Sequence, residues 1–257
     1  MFGSLLALLL ACWGQNAYIV EGTVVKVEGE RVVLDHEEVA GLMPAMTMPF
    51  SVAEPVMLEG LRPGDQVVAR YEVKERGGVL TKLRVTAHGP PPTARGPMPL
   101  QPGQQLPGYD LPSHRGGTVR VGQGQGRTTI LTFIYTRCPL PEACPAVMMK
   151  LLSVEQALDA SGSDARIVAV TLDPDHDTPE VLAAYAAEKG VGARWDLVRM
   201  EKKDLETLAM LAGMAVLEQG GQIVHGLRTL LLDPDGKLVE RYDGLDWEAE
   251  ALALHAR

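Results

Sequence analysis

The stretch Phe133-Ile-Tyr-Thr-Arg-Cys138-Pro-Leu-Pro-Glu-Ala-Cys144-Pro145 decides the fold of the second half of the chain, because an apolar strand runs here into a cysteine loop and then a helix. The chain has three cysteines in 257 residues, and one of them, Cys12, ends an apolar leader. Two prolines prevent a regular helix between Cys138 and Cys144, so a loop is predicted there. A thiol pair at such a strand-to-helix switch indicates soft-metal binding or redox chemistry. The alternative is a stabilising disulfide that closes a small loop.

Strands and helices alternate on both sides of this stretch. Cys144 lies at the predicted helix start, where the positive helix end favours a thiolate. Strands are predicted over 128–135, 165–172 and 195–200, helices over 145–158, 179–189, 203–211 and 247–254, and a hairpin over 227–242 around Asp233-Pro-Asp-Gly236. Alternation that ends in a hairpin and a helix predicts an α/β thioredoxin-like domain over residues 108–257.

The first part of the chain has a different pattern. Five short β-branched runs with turns between them fall at 18–27, 31–36, 46–52, 66–73 and 79–87. They predict a small all-β barrel of the oligonucleotide-binding (OB) type over residues 18–88. The Pro/Gly-rich residues 89–107 predict an extended, fairly stiff linker. The fold class is therefore multidomain, a small OB-like barrel followed by an α/β domain.

Residues 1–12 form a short apolar leader, too short to span a bilayer as a helix. The leader ends in Leu9-Leu10-Ala11-Cys12, which resembles a bacterial lipobox and implies a lipid anchor on Cys12. The alternative is a cleaved secretory signal with an incidental cysteine. Both interpretations place the protein outside the cytoplasm, either anchored to the membrane or secreted, where a thiol pair can be oxidised. The net charge of −9 without any Lys/Arg-rich block gives no support to nucleic-acid binding.

The second domain resembles the Sco/SenC family of copper chaperones. The resemblance rests on Thr136-Arg137-Cys138-Pro139, on Cys144-Pro145, on Leu172-Asp173-Pro174-Asp175-His176-Asp177-Thr178-Pro179-Glu180 and on His225, and it covers about residues 106–257. It implies one copper ion bound by Cys138, Cys144 and His225, and a role in assembling the copper site of cytochrome oxidase. Asp173 matches an acidic residue near the family's site.

The cysteine spacing departs from this family, which has three residues between the cysteines where this chain has five. The residue types favour copper without the resemblance, because two thiolates and one imidazole suit trigonal Cu(I) and tolerate Cu(II). Zinc would require a fourth ligand in a closed site. Taken alone, His225 is better explained as a surface-loop histidine, because its spacing gives no signal. Its place before a strand of the thioredoxin-like plan, together with the resemblance, favours it as a ligand. His176, in a polar loop, is predicted to be solvated rather than a ligand.

A second set of soft ligands lies in the first domain. His36 ends one strand, and Met46 and Met48 are two residues apart on the next, so both methionines point to one face. Thioethers select Cu(I) or Ag(I). The alternative is that these methionines fill gaps in the core.

Residues 18–88 resemble the periplasmic copper-binding CusF family. In that family one histidine and two methionines bind Cu(I) under a tryptophan cap. The resemblance implies that His36, Met46 and Met48 are the ligands. Met43 falls near the place of the tryptophan, so the cap is absent or replaced by a thioether.

Together these observations predict an extracytoplasmic copper chaperone that delivers copper to a cytochrome c oxidase subunit or another extracytoplasmic acceptor, rather than an enzyme. The first alternative is a thiol–disulfide oxidoreductase that uses Cys138 and Cys144 as redox thiols. The usual Cys-x-x-Cys spacing of such enzymes is missing. The second alternative is a periplasmic copper-resistance buffer without a delivery partner.

Overall fold

The computed structural model describes residues 17–43, 45–74, 77–92, 97–214, 216–219 and 221–256. These residues divide into two compact units, with the boundary between Gly96 and Pro97. The predicted leader over 1–12, with Cys12, lies outside the described residues. In the described part of the chain, no helix is both long enough and apolar enough to cross a membrane.

The first unit is built from five strands and one short 3-10 helix at Pro55–Leu58. The strands are β1 (Ala17–Glu28), β2 (Arg31–His36), β3 (Met46–Val52), β4 (Asp65–Lys74) and β5 (Gly77–His88). They hydrogen-bond in the order β1-β2-β3-β5-β4, and β4 pairs with β1, so the sheet closes on itself. The five predicted strands are all present in the first unit.

Alternation of side chains explains how this closed sheet makes a core. In β4 every second residue is buried, namely Asp65, Val67, Ala69, Tyr71 and Val73. Leu34 on β2 and Phe50 on β3 are also buried, but β2 is buried on both of its faces. The period-two burial of β4 places one face of that strand against the interior and the other towards water.

Residues 99–107, which we expected to belong to an extended linker, pack onto the second unit instead. Leu100 and Leu106 are buried members of its core. The Gly103 amide donates to the carbonyl of Leu238 (2.7 Å), and the Leu106 amide donates to that of Gly236 (2.9 Å). The two leucines account for the difference, since burial of apolar side chains favours docking over an extended chain. We call residues 97–107 the strap.

The second unit contains nine strands and four helices within the described residues. In chain order they are β6 (Tyr109–Pro112), β7 (Thr118–Val121), β8 (Thr129–Ile134), α1 (Cys144–Ser161), β9 (Arg166–Thr171), α2 (Pro179–Lys189), β10 (Trp195–Val198), α3 (Lys202–Leu211), β11 (Val216–Gln219), β12 (Gln222–His225), β13 (Arg228–Leu232), β14 (Leu238–Asp243) and α4 (Ala249–His255).

The main sheet of the second unit has the order β10-β9-β8-β13-β14. Strands β8, β9 and β10 are parallel, whereas β13 runs antiparallel to β8 and to β14. The carboxyl ends of β8 and β9 therefore lie side by side, and loops leave both ends towards α1 and α2. In open α/β sheets such an edge is where ligands bind.

Two hairpins, β6–β7 and β11–β12, were not predicted from the sequence. Each forms its own two-stranded sheet outside the main one. The β11–β12 hairpin carries His225 at its end, and only Gly226 and Leu227 separate it from β13. His225 therefore ends a strand and does not lie in an open loop.

Candidate metal centre

The cysteine loop is held at both of its ends by regular structure. Cys138 follows β8, and its amide donates to the carbonyl of Tyr135 (3.3 Å), which turns the chain away from the sheet. Cys144 is the first residue of α1 and is fully buried, whereas Cys138 is half-buried. Both are free thiols. The loop thus presents one thiol near the surface and one inside.

His225 is brought to this loop from 81 residues further along the chain. Its Nε2 atom lies 3.8 Å from the Sγ atom of Cys144. Its Nδ1 atom is 3.0 Å from the carbonyl of Gly226, which only accepts, so Nδ1 carries the proton. The Nε2 lone pair therefore faces Cys144. The side chain is buried (6 % exposed), unlike a surface-loop histidine.

The pKa values of the two thiols are shifted in opposite directions. A hydrogen bond with Cys144 lowers the pKa of Cys138 to about 5. The same interaction, together with burial, raises the pKa of Cys144. The sequence led us to expect the thiolate at Cys144, at the helix start. The interaction with Cys138 and the burial of Cys144 together outweigh the effect of the helix end, and the charge resides on Cys138.

Burial also sets the state of the histidine. Desolvation lowers the pKa of His225 to about 4, so the imidazole is neutral at physiological pH. Its ring lies edge-on to that of Tyr135, with centroids 6.0 Å apart. A neutral imidazole beside a thiolate and a thiol is a soft donor set that can hold a metal without adding positive charge.

A buried carboxylate fixes the backbone segment that leads into the cysteine loop. Asp177, which is fully buried, accepts hydrogen bonds from the amide of Thr136 (3.1 Å) and from its hydroxyl (2.5 Å). The hydroxyl of Thr171, at the end of β9, also donates to Asp177. Asp177 therefore ties the ends of β8 and β9 together directly before the cysteines.

Asp173, His176 and Asp177 bring their ligand atoms within 4.8 Å of one another. One oxygen of Asp173, one nitrogen of His176 and both oxygens of Asp177 already have partners within the protein. Asp173 accepts from the Arg137 guanidinium at 3.0 and 2.6 Å, and His176 Nδ1 lies 3.0 Å from Asp177. We interpret the cluster as a scaffold for the cysteine loop.

A cleft of about 600 Å³ is lined by the two residues that flank Cys138 in the chain, Arg137 and Pro139. It is lined by residues of the cysteine loop (Tyr135, Arg137, Pro139), of the loop after β9 (Asp173, Asp175) and of the β11–β12 hairpin (Glu218, Gly221, Gln222, Ile223). The cleft therefore touches all three segments that carry the site, including the residues on both sides of Cys138, the thiol nearer the surface.

In the first unit the pairing of β2 with β3 places the predicted ligands on one face. His36 is directly opposite Met46, and Leu34 is opposite Met48. His36, Met46 and Met48 therefore share the face on which Leu34 and Phe50 are buried, which is the inner one. His36 is fully buried and Met46 is half-buried, so the imidazole lies in the interior and the Met46 thioether lies nearer the surface.

The geometry around His36 fixes which nitrogen is basic. Its Nδ1 atom lies 2.7 Å from the carbonyl of Glu37 and therefore carries the proton, which leaves the lone pair on Nε2. The ring packs edge-on against Phe50, with centroids 5.4 Å apart. Met43 is buried and pairs with Val39 in a short β-bridge just before β3.

An open five-stranded α/β sheet with two thiols at a strand-to-helix junction and a histidine beside them defines a thioredoxin-like protein with a dithiol–histidine centre. Residues 99–256 match the SCO1/SenC family model, and the chain belongs to this family. Residues 17–85 match the family model described as copper binding periplasmic protein CusF. Both resemblances drawn from the sequence are confirmed.

Individual relatives agree with this assignment. The SCO1 protein homolog of Bacillus subtilis (strain 168) is 27% identical over 143 residues, covering 54% of this chain and 73% of the relative. The solved structure of BsSco, described as a member of the Sco family of cytochrome c oxidase assembly proteins, has a TM-score of 0.53 at 22% identity and covers 61% of this chain and 94% of its own. The solved structure of Arabidopsis thaliana ScoI with copper bound has a TM-score of 0.50 at 22% identity, and the match covers 58% of this chain and 93% of that one. These structures confirm the thioredoxin-like fold.

Sequence reasoning missed the structural role of Asp177 and the contact of Tyr135 with His225. Asp177 could have been found, because an acidic residue that shortly follows a buried strand lies at the edge where the loops meet. No such signal was present for Tyr135, since an aromatic residue at the end of a strand is ordinarily interpreted as a core residue.

Proposed function

We propose that this protein is an extracytoplasmic copper chaperone whose second unit binds one copper ion through Cys138, Cys144 and His225. The observation that carries the proposal is the 3.8 Å approach of Cys144 Sγ to the Nε2 lone pair of His225. It supports a three-donor set, because Cys138 and Cys144 are also close enough to shift each other's pKa. The residues present thus fit a copper ion.

The donor chemistry supports copper over zinc. Two sulfurs and one imidazole suit Cu(I) in a trigonal arrangement and tolerate Cu(II). A structural zinc site would need a fourth protein ligand. The carboxylates near the loop do not supply one, because Asp173 is held by Arg137 and Asp177 by Thr136 and Thr171.

The first unit is the second copper site of the proposal. His36, Met46 and Met48 share one face, and the chemistry of one imidazole and two thioethers supports Cu(I) or Ag(I) there. We also assign the closed sheet to the OB type, on the order β1-β2-β3-β5-β4 with β3 parallel to β5. The unit would capture Cu(I) and buffer it.

The acceptor in this proposal is an extracytoplasmic copper protein, with the copper site of a cytochrome c oxidase subunit as first candidate. Its support is membership of the SCO1/SenC family and the description of the related BsSco as an oxidase assembly protein. The cleft beside Cys138 would admit a segment of the acceptor. A lipid on Cys12 would hold the protein at the membrane. The match to a periplasmic family supports a location on the periplasmic side of that membrane.

The asymmetry of the thiols favours a second candidate, a thiol–disulfide oxidoreductase. Cys138, half-buried and a thiolate, would attack a disulfide of a partner protein and form a mixed disulfide. Cys144 would then attack Cys138 and pass its proton to the leaving partner thiolate, so that the protein keeps the disulfide. The partner gains the two electrons, leaves with both sulfurs reduced, and takes its second proton from the medium. This activity needs no metal.

Metal analysis of the reduced full-length protein distinguishes the two candidates. A copper chaperone binds copper at the second unit with thiolate-to-Cu(II) charge-transfer absorption, and Cys138→Ala or His225→Ala weakens both. His255→Ala is the matched control, because His255 is an exposed imidazole on α4. Unchanged copper binding and absorption in Cys138→Ala, together with catalytic reduction of a model disulfide by the wild type, would establish the oxidoreductase instead.

A further inference from the structure

We propose that Cu(I) passes within one chain, from His36, Met46 and Met48 in the first unit to Cys138, Cys144 and His225 in the second. This inference rests on the two copper sites proposed above and adds a direction and a mechanism of transfer within a single molecule.

The donor sets fix the direction. The first site offers one imidazole and two thioethers, all uncharged. The second offers one imidazole and two sulfurs, and a thiolate attracts Cu(I) more strongly than a thioether because it is both soft and negatively charged. The transfer moves no electrons, since copper stays Cu(I). Binding at the second site releases the proton of Cys144 to solvent, and the methionines return as neutral thioethers.

The chain leaves the first unit at Gly89, which is connected to Met48 through paired residues on neighbouring strands. Met48 is opposite Leu34, and Leu34 is opposite Val24. The Val24 carbonyl accepts from the amide of Gly64 (2.8 Å), and the Gly64 carbonyl accepts from the amide of Gly89 (2.9 Å). Gly64 has a φ of +95°, and a Cβ there would lie 2.0 Å from the Gly89 carbonyl oxygen. The glycine thus permits the close approach that fixes this exit point.

The chain joins the second unit close to the segment that bears His225. In the strap, the amide of Leu100 donates to the carbonyl of Leu211, at the end of α3 (2.9 Å). Gly213 lies beside Pro99, and a Cβ on Gly213 would be 3.4 Å from it. Strand β11 starts three residues later at Val216, which pairs with His225. The strap is therefore anchored at the base of the hairpin that supplies the imidazole ligand.

Only seven residues, 90–96, separate Gly89 from the start of the strap at Pro97. A tether this short gives one tethered site an effective concentration of the order of millimolar towards the other. In a micromolar solution, transfer within a chain should then exceed transfer between chains by up to about a thousandfold.

Full-length protein with its two thiols oxidised, labelled at the methionine methyls, is loaded anaerobically with one equivalent of Cu(I). Shifted Met46 and Met48 methyl signals confirm the starting state. A phosphine reductant then restores the thiols and is itself oxidised to the phosphine oxide, with water supplying the oxygen and the two protons. Because phosphines also bind Cu(I), it is used at one fixed concentration that does not remove Cu(I) from the methionines of Cys138→Ser/Cys144→Ser. Thiolate-to-Cu(I) ultraviolet absorption reports arrival at the second site. The matched comparison is an equimolar mixture of two full-length variants. Cys138→Ser/Cys144→Ser carries the Cu(I), and oxidised Met46→Leu/Met48→Leu receives it.

We expect the rate in the intact chain to be unchanged by dilution, and the rate in the mixture to fall by about tenfold on tenfold dilution, as a bimolecular step requires. An intact chain that slows on dilution like the mixture overturns the inference and leaves both copper sites standing. So does Cu(I) that stays on the methionines after the thiols are reduced. Absence of any methyl shift on loading overturns the proposed first site, and the inference with it.

Discussion

The carboxylate of Asp177 binds the backbone amide and the hydroxyl of Thr136, 41 residues earlier in the chain, at 3.1 and 2.5 Å. Thr136 is the second residue after β8 and lies two positions before Cys138. A buried carboxylate with several donors is stable only while those donors stay in place. The direction in which the cysteine loop leaves the sheet is therefore fixed from the neighbouring strand.

Asp177→Ala should destabilise the second unit by about 2–4 kcal/mol, because it leaves buried donors at Thr136 and Thr171 without an acceptor. It should also weaken copper binding, since the loop that carries Cys138 loses its support. Chemical denaturation and copper titration measure the two effects. Asp175→Ala, an exposed acidic residue two positions earlier, is the control. Equal stability of the two variants would show that Asp177 does not support the loop.

The division into an all-β unit and an α/β unit was readable from the sequence, because period-two and helical patterns each persist over long stretches. The strap was not readable. Its Pro/Gly content is typical of a linker, and only tertiary packing of Leu100 and Leu106 places it on the second unit. The short hairpins were missed for a similar reason, since four-residue strands such as β11 and β12 are too short to show a period.

The candidate site divides in the same way. Cys138 and Cys144 were identified by residue type and by their place between a strand and a helix. The proximity of His225 could be expected only through family resemblance, because nothing in a sequence separation of 81 residues indicates contact. The location of the thiolate depended on tertiary structure. The interaction between the two cysteines and the full burial of Cys144 place the charge on Cys138, whereas the helix start alone suggested the opposite.

Gly22→Ala should impair the first copper site without touching a ligand. Gly22 is directly opposite His36, and a Cβ there would lie 2.8 Å from the carbonyl oxygen of Asp35 and 2.9 Å from the Cα of His36. Strand β2 must shift to accommodate it, which moves the imidazole. We expect Cu(I) affinity to fall by at least about tenfold, or ~1.4 kcal/mol. Glu21→Ala, exposed on the same strand, should bind normally in competition titrations with a Cu(I) chelator. Normal affinity in Gly22→Ala would argue against His36 as a ligand.

Met46→Leu and Met48→Leu should each weaken binding of Cu(I) and Ag(I) by the first unit, because leucine conserves volume but lacks the thioether. Zinc should bind poorly there in all cases. Silver titration followed by methionine methyl NMR shows which thioethers participate. Met149→Leu is the control, since this thioether is 64 % exposed but lies on α1. If the Met46 and Met48 methyls do not shift with silver, the two residues are core packing only.

Leu106→Ala should destabilise the second unit by about 2–5 kcal/mol, as expected when a fully buried leucine is truncated. Leu254→Ala is the same chemical change at a side chain that is 55 % exposed, and it should cost far less. Thermal or denaturant unfolding of the two full-length variants measures the difference. Similar stabilities would mean that the strap contributes nothing to the core and that residues 97–107 behave as linker.

Copper and a disulfide should compete for Cys138 and Cys144. The two thiols interact closely enough to shift each other's pKa, and a disulfide between them would remove both sulfur donors. Oxidised protein should therefore lose high-affinity Cu(I) binding at the second unit. His225→Ala should weaken copper binding but move the thiol reduction potential little. The imidazole is neutral, with its pKa lowered to about 4 by burial, and the thiolate charge resides on Cys138. Copper stoichiometry is measured against thiol redox state in wild type, His225→Ala and the His255→Ala control. Full Cu(I) loading of the second unit in completely oxidised protein would exclude the competition, and a large shift of the potential in His225→Ala would give the histidine a redox role as well.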